Sequence, residues 1–515
     1  MLKQIIRMKK NIFIISLLAV SLLSSCGLIK VDADDKLPGD EFWIEGNAGN
    51  VETYMLSIYN NFRKATMMKS AFFVYSGDFR CAPIGYYSGD RDLLGYLTSN
   101  DMAGLKSRYD SGNNGEGSVG QITNWNYFYQ VVQGANILLK EVDEVPDMTD
   151  QQVRNYKAEA IFMRNLAYFF MVRLFGDIPY YTVAYNSEPL SRTSMVTVLQ
   201  NCLADLQALI DSDPDKTALP WRYSLNSKSG VRATRGAVLA LMMHINLWLV
   251  RFDSKQSNTY YQNVVSLGDE LVNRNDNSYE LVDMNRSSFI FKGGTKESLF
   301  EIAQNINSNE IFDQTAIFSN HFAYSCYINR TTPSYYYKRE FLIKLFPVNG
   351  EDKRVSSWFN DNIYMSDKID LYPKEITKFM NPDTYRGDNI TSNSGNQIVF
   401  RFADAILLYA EALAAIGEEG EAQVQLNKIR DRAGATSVMS TGTDLQNDIF
   451  WERVRELIGE GHYYYDLVRT GKIHDINFCE TPISRSKFNE GAWTWPICRK
   501  ALVNNPYMTL NNYWE

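Results

Sequence analysis

Histidine is scarce in this chain. Its 515 residues hold four, His244, His321, His462 and His474, too scattered to build a metal site at any familiar spacing. The six cysteines, Cys26, Cys81, Cys202, Cys326, Cys479 and Cys498, include no Cys-x-x-Cys pair. That excludes a zinc ribbon or a thioredoxin-type redox motif. With Cys26 set aside, five widely spaced cysteines remain, an odd number that points to buried thiols rather than a disulfide framework. There is no long basic run, and the net charge of −8 excludes a nucleic-acid footprint. No Gly-x-Ser-x-Gly is present for serine-type hydrolysis, and the Asn-rich loops lack EF-hand spacing for Ca²⁺. No metal or other cofactor is expected. Beyond residue 25 no apolar run reaches the roughly 20 residues of a membrane span.

Aromatics, by contrast, are plentiful: 32 Tyr, 27 Phe and 9 Trp in a chain that is 45% hydrophobic. A chain of this length and composition buries a large core, and Tyr and Trp beyond core needs suit surfaces that present flat, half-polar rings.

Residues 1–25 are a leader. Lys3, Arg7, Lys9 and Lys10 precede an apolar stretch from Ile12 to Leu23, and small residues follow. Leu23-Ser24-Ser25-Cys26 reads as a lipobox, with Cys26 lipidated as the new N-terminus. Acyl chains add about 0.8 kcal/mol per buried CH₂, so a multiply acylated Cys26 would anchor the protein to a membrane without spanning it. The rest divides into an N-terminal region, 26–215, and a C-terminal region, 216–515, within one compact body.

Helical periodicity is strong over 50–64, 123–142, 149–175, 193–212, 230–251 and 260–271. Thr149 and Gln152 make a capping-box pattern, and Gly176 with Pro179 gives a stop. Ser298–Ile302 reads as a short strand. Phe402, Ile406, Tyr409 and Leu413 line a helix ended by Gly417; Ala422, Leu426 and Ile429 line a second, ended by Gly434. Two short helices joined by a tight turn are the unit of tetratricopeptide-like arrays, although no strict 34-residue repeat is present. Residues 451–471 read as one amphipathic helix packed on this pair, with Glu452, Glu456, Glu460, Arg453, Arg455, Asp466 and Arg469 between its apolar positions. So many ionisable groups need partners or solvent. The fold class is mainly α, with loop-rich insertions and a few short strands.

Four blocks resemble the SusD/RagB family, and the resemblance runs over essentially the whole chain. Arg173-Leu174-Phe175-Gly176-Asp177-Ile178-Pro179 is similar to the family's RLFGDVP. Phe400 to Ala412 resembles its RYAEVLLMYAEA helix, and Asn427 to Gly434 follows as in the family. Glu452 to Arg469 is similar to ERRRELAFEGHRWFDLRR, with Ile458-Gly459 in place of Ala-Phe and Tyr463 in place of Arg. Trp495-Pro496-Ile497, Asn505-Pro506 and Asn511-Asn512-Tyr513 resemble the closing block, with Cys498 where Pro is usual.

The resemblance implies a tetratricopeptide-like scaffold with ligand-binding loops and no catalysis. It implies a lipoprotein on the outer face of a Gram-negative outer membrane, capping a SusC-like TonB-dependent transporter. The ligand would be an oligosaccharide, or a peptide in the RagB branch. The blocks themselves are scaffold, so the candidate glycan contacts come from three aromatic loop regions: Asp78, Arg80, Tyr86 and Tyr87; Trp221 and Tyr223; and Tyr324, Tyr327, Tyr335 and Trp358. Singly, such residues pack within loops more often than they bind.

A glycoside hydrolase is the contrasting reading. Two carboxylates would have to flank the scissile bond, roughly 5 Å apart or 6.5–9.5 Å apart. Glu456 and Glu460 have about that spacing but project from one helix face, and Arg453 and Arg455 beside them favour ionised carboxylates over a raised acid.

Overall fold

A computed structural model describes residues 39–67, 72–86, 93–110, 122–224, 228–304, 335–359, 396–503 and 505–515. Cys26 and Cys326 therefore lie outside the described residues.

Helices dominate, and they come in sequential pairs. Helix α1 (Ala48–Met67) packs on α2 (Asn126–Glu141), which packs on α3 (Asp150–Phe175). Between α1 and α2 lies the three-residue strand β1 (Ile84–Tyr86). Thr149 and Gln152 close the expected capping box at the start of α3, and Gly176 caps its end. Helix α4 (Met195–Asp211) leads to α5 (Arg235–Phe252), then α6 (Ser257–Gly268). Nearly every residue of α5 is buried, because α3, α4, α6 and later elements cover it on all sides. Such a helix needs no polar face, and its sequence has almost none.

Strand β2 (Ser298–Ile302) occurs where the sequence places it. β3 (Tyr335–Tyr337) pairs antiparallel with β1, and β4 (Gln397–Arg401) pairs antiparallel with β2. β4 runs straight into α7 (Phe402–Ala415), and α8 (Glu419–Arg432) folds back on it as the expected hairpin. α9 (Gly442–Glu456) covers that hairpin.

Residues 451–471 depart from the single helix expected of them. α9 stops at Glu456, a turn follows, and α10 (Tyr463–Thr470) begins a new direction. Gly459 and Gly461 make the break, with φ of 82° and 87°. The turn docks on the short helix Phe72–Gly77 at backbone distance: a Cβ on Gly77 would stand 1.9 Å from the Gly461 carbonyl oxygen. The wet face expected of this stretch is absent too. Glu452, Arg453, Glu456, Glu460, Asp466 and Arg469 are all buried.

These charges are matched to one another. Arg401, at the end of β4, donates to Glu297 Oε1 (2.7 Å), Glu456 Oε1 (2.7 Å) and both oxygens of Glu460 (2.8 Å). Arg354 pairs with Asp352 (2.7 Å), Glu452 (2.8 Å) and Glu456 (3.0 Å). Arg432 pairs with Glu297 and Glu456, while Arg430 and Arg455 pair with Glu452. Burial favours a neutral Glu452, but Arg354, Arg455 and Arg430 overcome it and hold the carboxyl down at about 2.

A second cluster joins α5, α7, α9 and α10. Arg453 binds Asp404 (2.8 Å) and Asp466 (2.9 Å), and Arg469 binds Asp466 and Glu411. His244 Nε2 and Asp404 Oδ2 are hydrogen-bonded at 2.7 Å, and burial lowers the His244 pKa against the pull of that carboxylate. Asp404 stays ionised against its own burial, beside His244 and the Arg453 guanidinium.

Candidate ligand site

The structure separates the ten candidate contacts into three groups. Asp78, Arg80 and Trp358 belong to the interior. Asp78 Oδ2 accepts the Gly461 N–H at 2.8 Å, fixing the turn between α9 and α10. Arg80 is fully buried; it donates to the carbonyls of Ala492, Trp493 and Thr494, with Tyr464 and Trp495 against its guanidinium. Trp358 is 1% exposed and donates Nε1–H to Ser287 Oγ. Such residues knit distant segments together and leave no face for a sugar. Their chain neighbours are polar or Gly-rich, which reads as loop surface until residues hundreds of positions away close over them.

Trp221 and Tyr223 form the second group. Trp221 is buried, edge-on to Tyr279, with Lys216 and Arg235 near its ring. Tyr223 is half-buried; its hydroxyl donates to the Ala233 carbonyl, and burial raises its pKa.

The third group is the loop set. Tyr87, Tyr324 and Tyr327 lie outside the described residues. Tyr86 and Tyr335 are direct cross-strand partners in the β1–β3 ribbon. The first and third loop regions, about 250 residues apart in sequence, are thereby pinned together at their aromatic positions.

Beside the second loop region lies a cleft of about 530 Å³, within the roughly 300–1,000 Å³ of small-molecule sites. One wall is the outward face of α1, with Thr53, Leu56, Ser57, Asn60 and Arg63; the opposite wall is Lys228–Arg232 and the end of β2, Phe300 to Ala303. Its floor is a fixed polar network. Arg232 forks onto Glu159 at 2.5 and 2.7 Å and reaches Glu52 at 2.6 Å. Tyr59 donates to Glu159 Oε2 at 2.6 Å and accepts the Ala233 N–H at 2.9 Å; Tyr156 donates to Glu52 at 3.0 Å. Burial would raise the Glu52 pKa, but Arg232 outweighs it and keeps the carboxylate charged. Opposite, burial raises the Glu301 pKa despite donors from Asn396, Gly294 and Ser298. The sequence signals none of this. Asn60 and Arg63 read as the solvated face of an amphipathic helix, and only the far-off strand β2 makes that face a wall.

Glu456 and Glu460 sit apart from this cleft, each bound to Arg401. Among the described residues no His/Cys/Asp/Glu group has the arrangement to hold a metal ion, and no single helix is long and apolar enough to cross a membrane.

Residues 372–514 match the family model described as the SusD family, and residues 97–247 match one described as starch-binding, associating with outer membrane. A SusD-like protein of Formosa agariphila is 22% identical, the alignment covering 98% of this chain and 99% of that protein. A solved laminarin-binding SusD-like protein superposes with a TM-score of 0.67 at 21% identity, over 90% of this chain and 99% of that one, which speaks for the fold alone. A crystal structure of a SusD homolog from Bacteroides thetaiotaomicron is far nearer: 55% identical, TM-score 0.86, covering 92% of this chain and all of that one. With that relative matched over its whole length and family models matching both halves, this chain belongs to the SusD family.

Proposed function

We propose that the protein is a cell-surface lipoprotein that binds an oligosaccharide without cleaving it and hands it to a SusC-like TonB-dependent transporter in the outer membrane. The observation that carries this reading is family membership over 92% of the chain, including a segment whose family is described as starch-binding and associating with outer membrane. The lipobox at Cys26 supports an anchor. The strands joined at Tyr86 and Tyr335 bring together two stretches of sequence rich in tyrosine, the residue type suited to stacking on sugar rings.

A non-catalytic role fits the chemistry of the carboxylates. A glycosidase needs one carboxyl poised as an acid in a cleft open to substrate. The paired glutamates here are buried in a matrix of guanidinium groups, so neither faces a substrate.

The test is to tag the full chain in a Gram-negative host that carries a SusC-like transporter and fractionate the membranes. The account expects fatty-acylated protein in the outer membrane, accessible to external protease, co-purifying in mild detergent with a large β-barrel. Cys26→Ser should lose the acylation and the membrane fraction. A Cys26→Ser protein that still fractionates with the outer membrane, or a wild type that captures no barrel, would overturn the anchor or the partner respectively.

A further inference from the structure

The cleft beside α1 has as many carboxylates as cations, counting Glu159 beneath it, but two of its cations stand outside the ion pairs. Its lining holds three cations, Arg63, Lys228 and Arg232, and two carboxylates, Glu52 and Glu301. Arg232 is spent on Glu52 and Glu159. Glu301 is buried, and Ser298, Gly294 and Asn396 donate to it. Arg63 and Lys228 form no ion pair among the described residues, and Arg63 Nε is buried without a hydrogen-bond partner. The protein as a whole carries −8, so two cations left outside ion pairs in one cleft run against its general field.

From this we infer that the cleft takes an acidic saccharide, one bearing a carboxylate or a sulfate ester. Arg63 presents a planar fork matched to either group, and Lys228 adds a point charge from the opposite wall. Exposed Asn60 offers a donor and an acceptor to hydroxyls, and half-exposed Leu56 offers an apolar edge. The floor of Tyr59, Glu159 and Arg232 is already hydrogen-bonded, so it holds the walls in place without having to rearrange. This inference rests on the oligosaccharide-binding reading and narrows it to a charge class.

Calorimetry on the full chain in detergent micelles tests it, with oligogalacturonides as carboxylated probes and κ-carrageenan oligosaccharides as sulfated ones. Neutral malto-, xylo- and laminari-oligosaccharides of equal length complete the panel. An acidic probe should bind, and Arg63→Gln or Lys228→Gln should each weaken it about tenfold. Raising salt should weaken it further. Whichever acidic series binds identifies the source of the charge. Unfolding midpoints within experimental error of wild type would show that these surface variants still fold. Binding of a neutral series alone, or of an acidic one untouched by both variants, overturns the acidic cleft and leaves oligosaccharide binding standing. Absence of heat with every saccharide overturns both.

Discussion

Arg401→Met tests the claim that the blocks shared with the SusD family are scaffold. The Arg401 guanidinium makes five hydrogen bonds of 2.7–2.8 Å, to Glu297, Glu456, Glu460 and the Glu456 carbonyl. Five guanidinium groups, of Arg354, Arg401, Arg430, Arg432 and Arg455, face five carboxylates, of Glu297, Asp352, Glu452, Glu456 and Glu460, in this cluster. Removing one leaves a surplus negative charge where water does not reach. Breaking a buried pair from one side costs about 3–5 kcal/mol, against about 5–15 kcal/mol for a whole domain. Urea unfolding at pH 7, followed by tryptophan fluorescence, should show a lower midpoint at unchanged slope, the shift times the slope giving that loss. Adding Glu460→Gln to Arg401→Met should recover about 1 kcal/mol or more, because it removes one of the stranded charges. A loss below about 1 kcal/mol, typical of a solvated surface pair, would refute the reasoning.

Acid should weaken the fold in two stages. Burial pushes His462 down to about 4, and Glu452 is held at about 2, so both bind protons more readily in the unfolded chain. The stability each contributes is complete above its unfolded pKa and is lost as pH falls towards its folded one. For His462 that window runs from roughly 6.5 to 4 and is worth about 3 kcal/mol; for Glu452 it runs from roughly 4.5 to 2 and is similar in size. Thermal melts from pH 7 to 4 should show the upper stage in wild type and a smaller one in His462→Gln, because His244, also lowered by burial, loses stability in the same direction. Gly77→Ala should cost at least about 3 kcal/mol by the same urea assay, because the new methyl meets the Gly461 backbone rather than a movable side chain. Cys81, Cys202 and Cys479 are buried free thiols, and burial raises the first two well out of the reactive range. Peptide mapping after brief native alkylation should find these three unmodified, and full labelling should follow in denaturant.

Much of the scaffold was legible because its signals are local. The Thr149–Gln152 capping box, the stops at Gly176 and Gly417, and the periodicity of α4, α7 and α8 are set within a few residues, and the structure reproduces them. The break at Gly459–Gly461 was not legible from the apolar pattern, since Val454, Leu457, Ile458, Tyr464 and Tyr465 keep helical spacing across it. What fixes it is contact with Gly77 and Asp78, nearly 400 residues away. The charges of α9 and α10 were legible in part: that they belong to ion pairs was expected, that none of them stays on a wet face was not. Their partners Arg354, Asp404 and Arg401 come from other elements, so a buried matrix reads locally as a wet face. The candidate ligand contacts were the least legible. Arg80 and Trp358 carry the residue types of a binding loop and spend them on the core, whereas Asn60 and Arg63 carry no signal beyond polarity on a helix.

The central claim is that this protein binds oligosaccharide and does not cut it. The most direct measurement incubates the full chain in detergent with a broad oligosaccharide panel, following binding heat and, in the same samples, product release by chromatography. The account predicts saturable heat with one glycan class, lost on Ala substitution at the contacting loop or cleft positions, and an unchanged oligosaccharide profile after prolonged incubation. Heat only with a peptide digest would contradict the glycan assignment and favour a peptide carrier. Steady release of shorter products, abolished by Glu456→Gln or Glu460→Gln, would contradict the non-catalytic account outright.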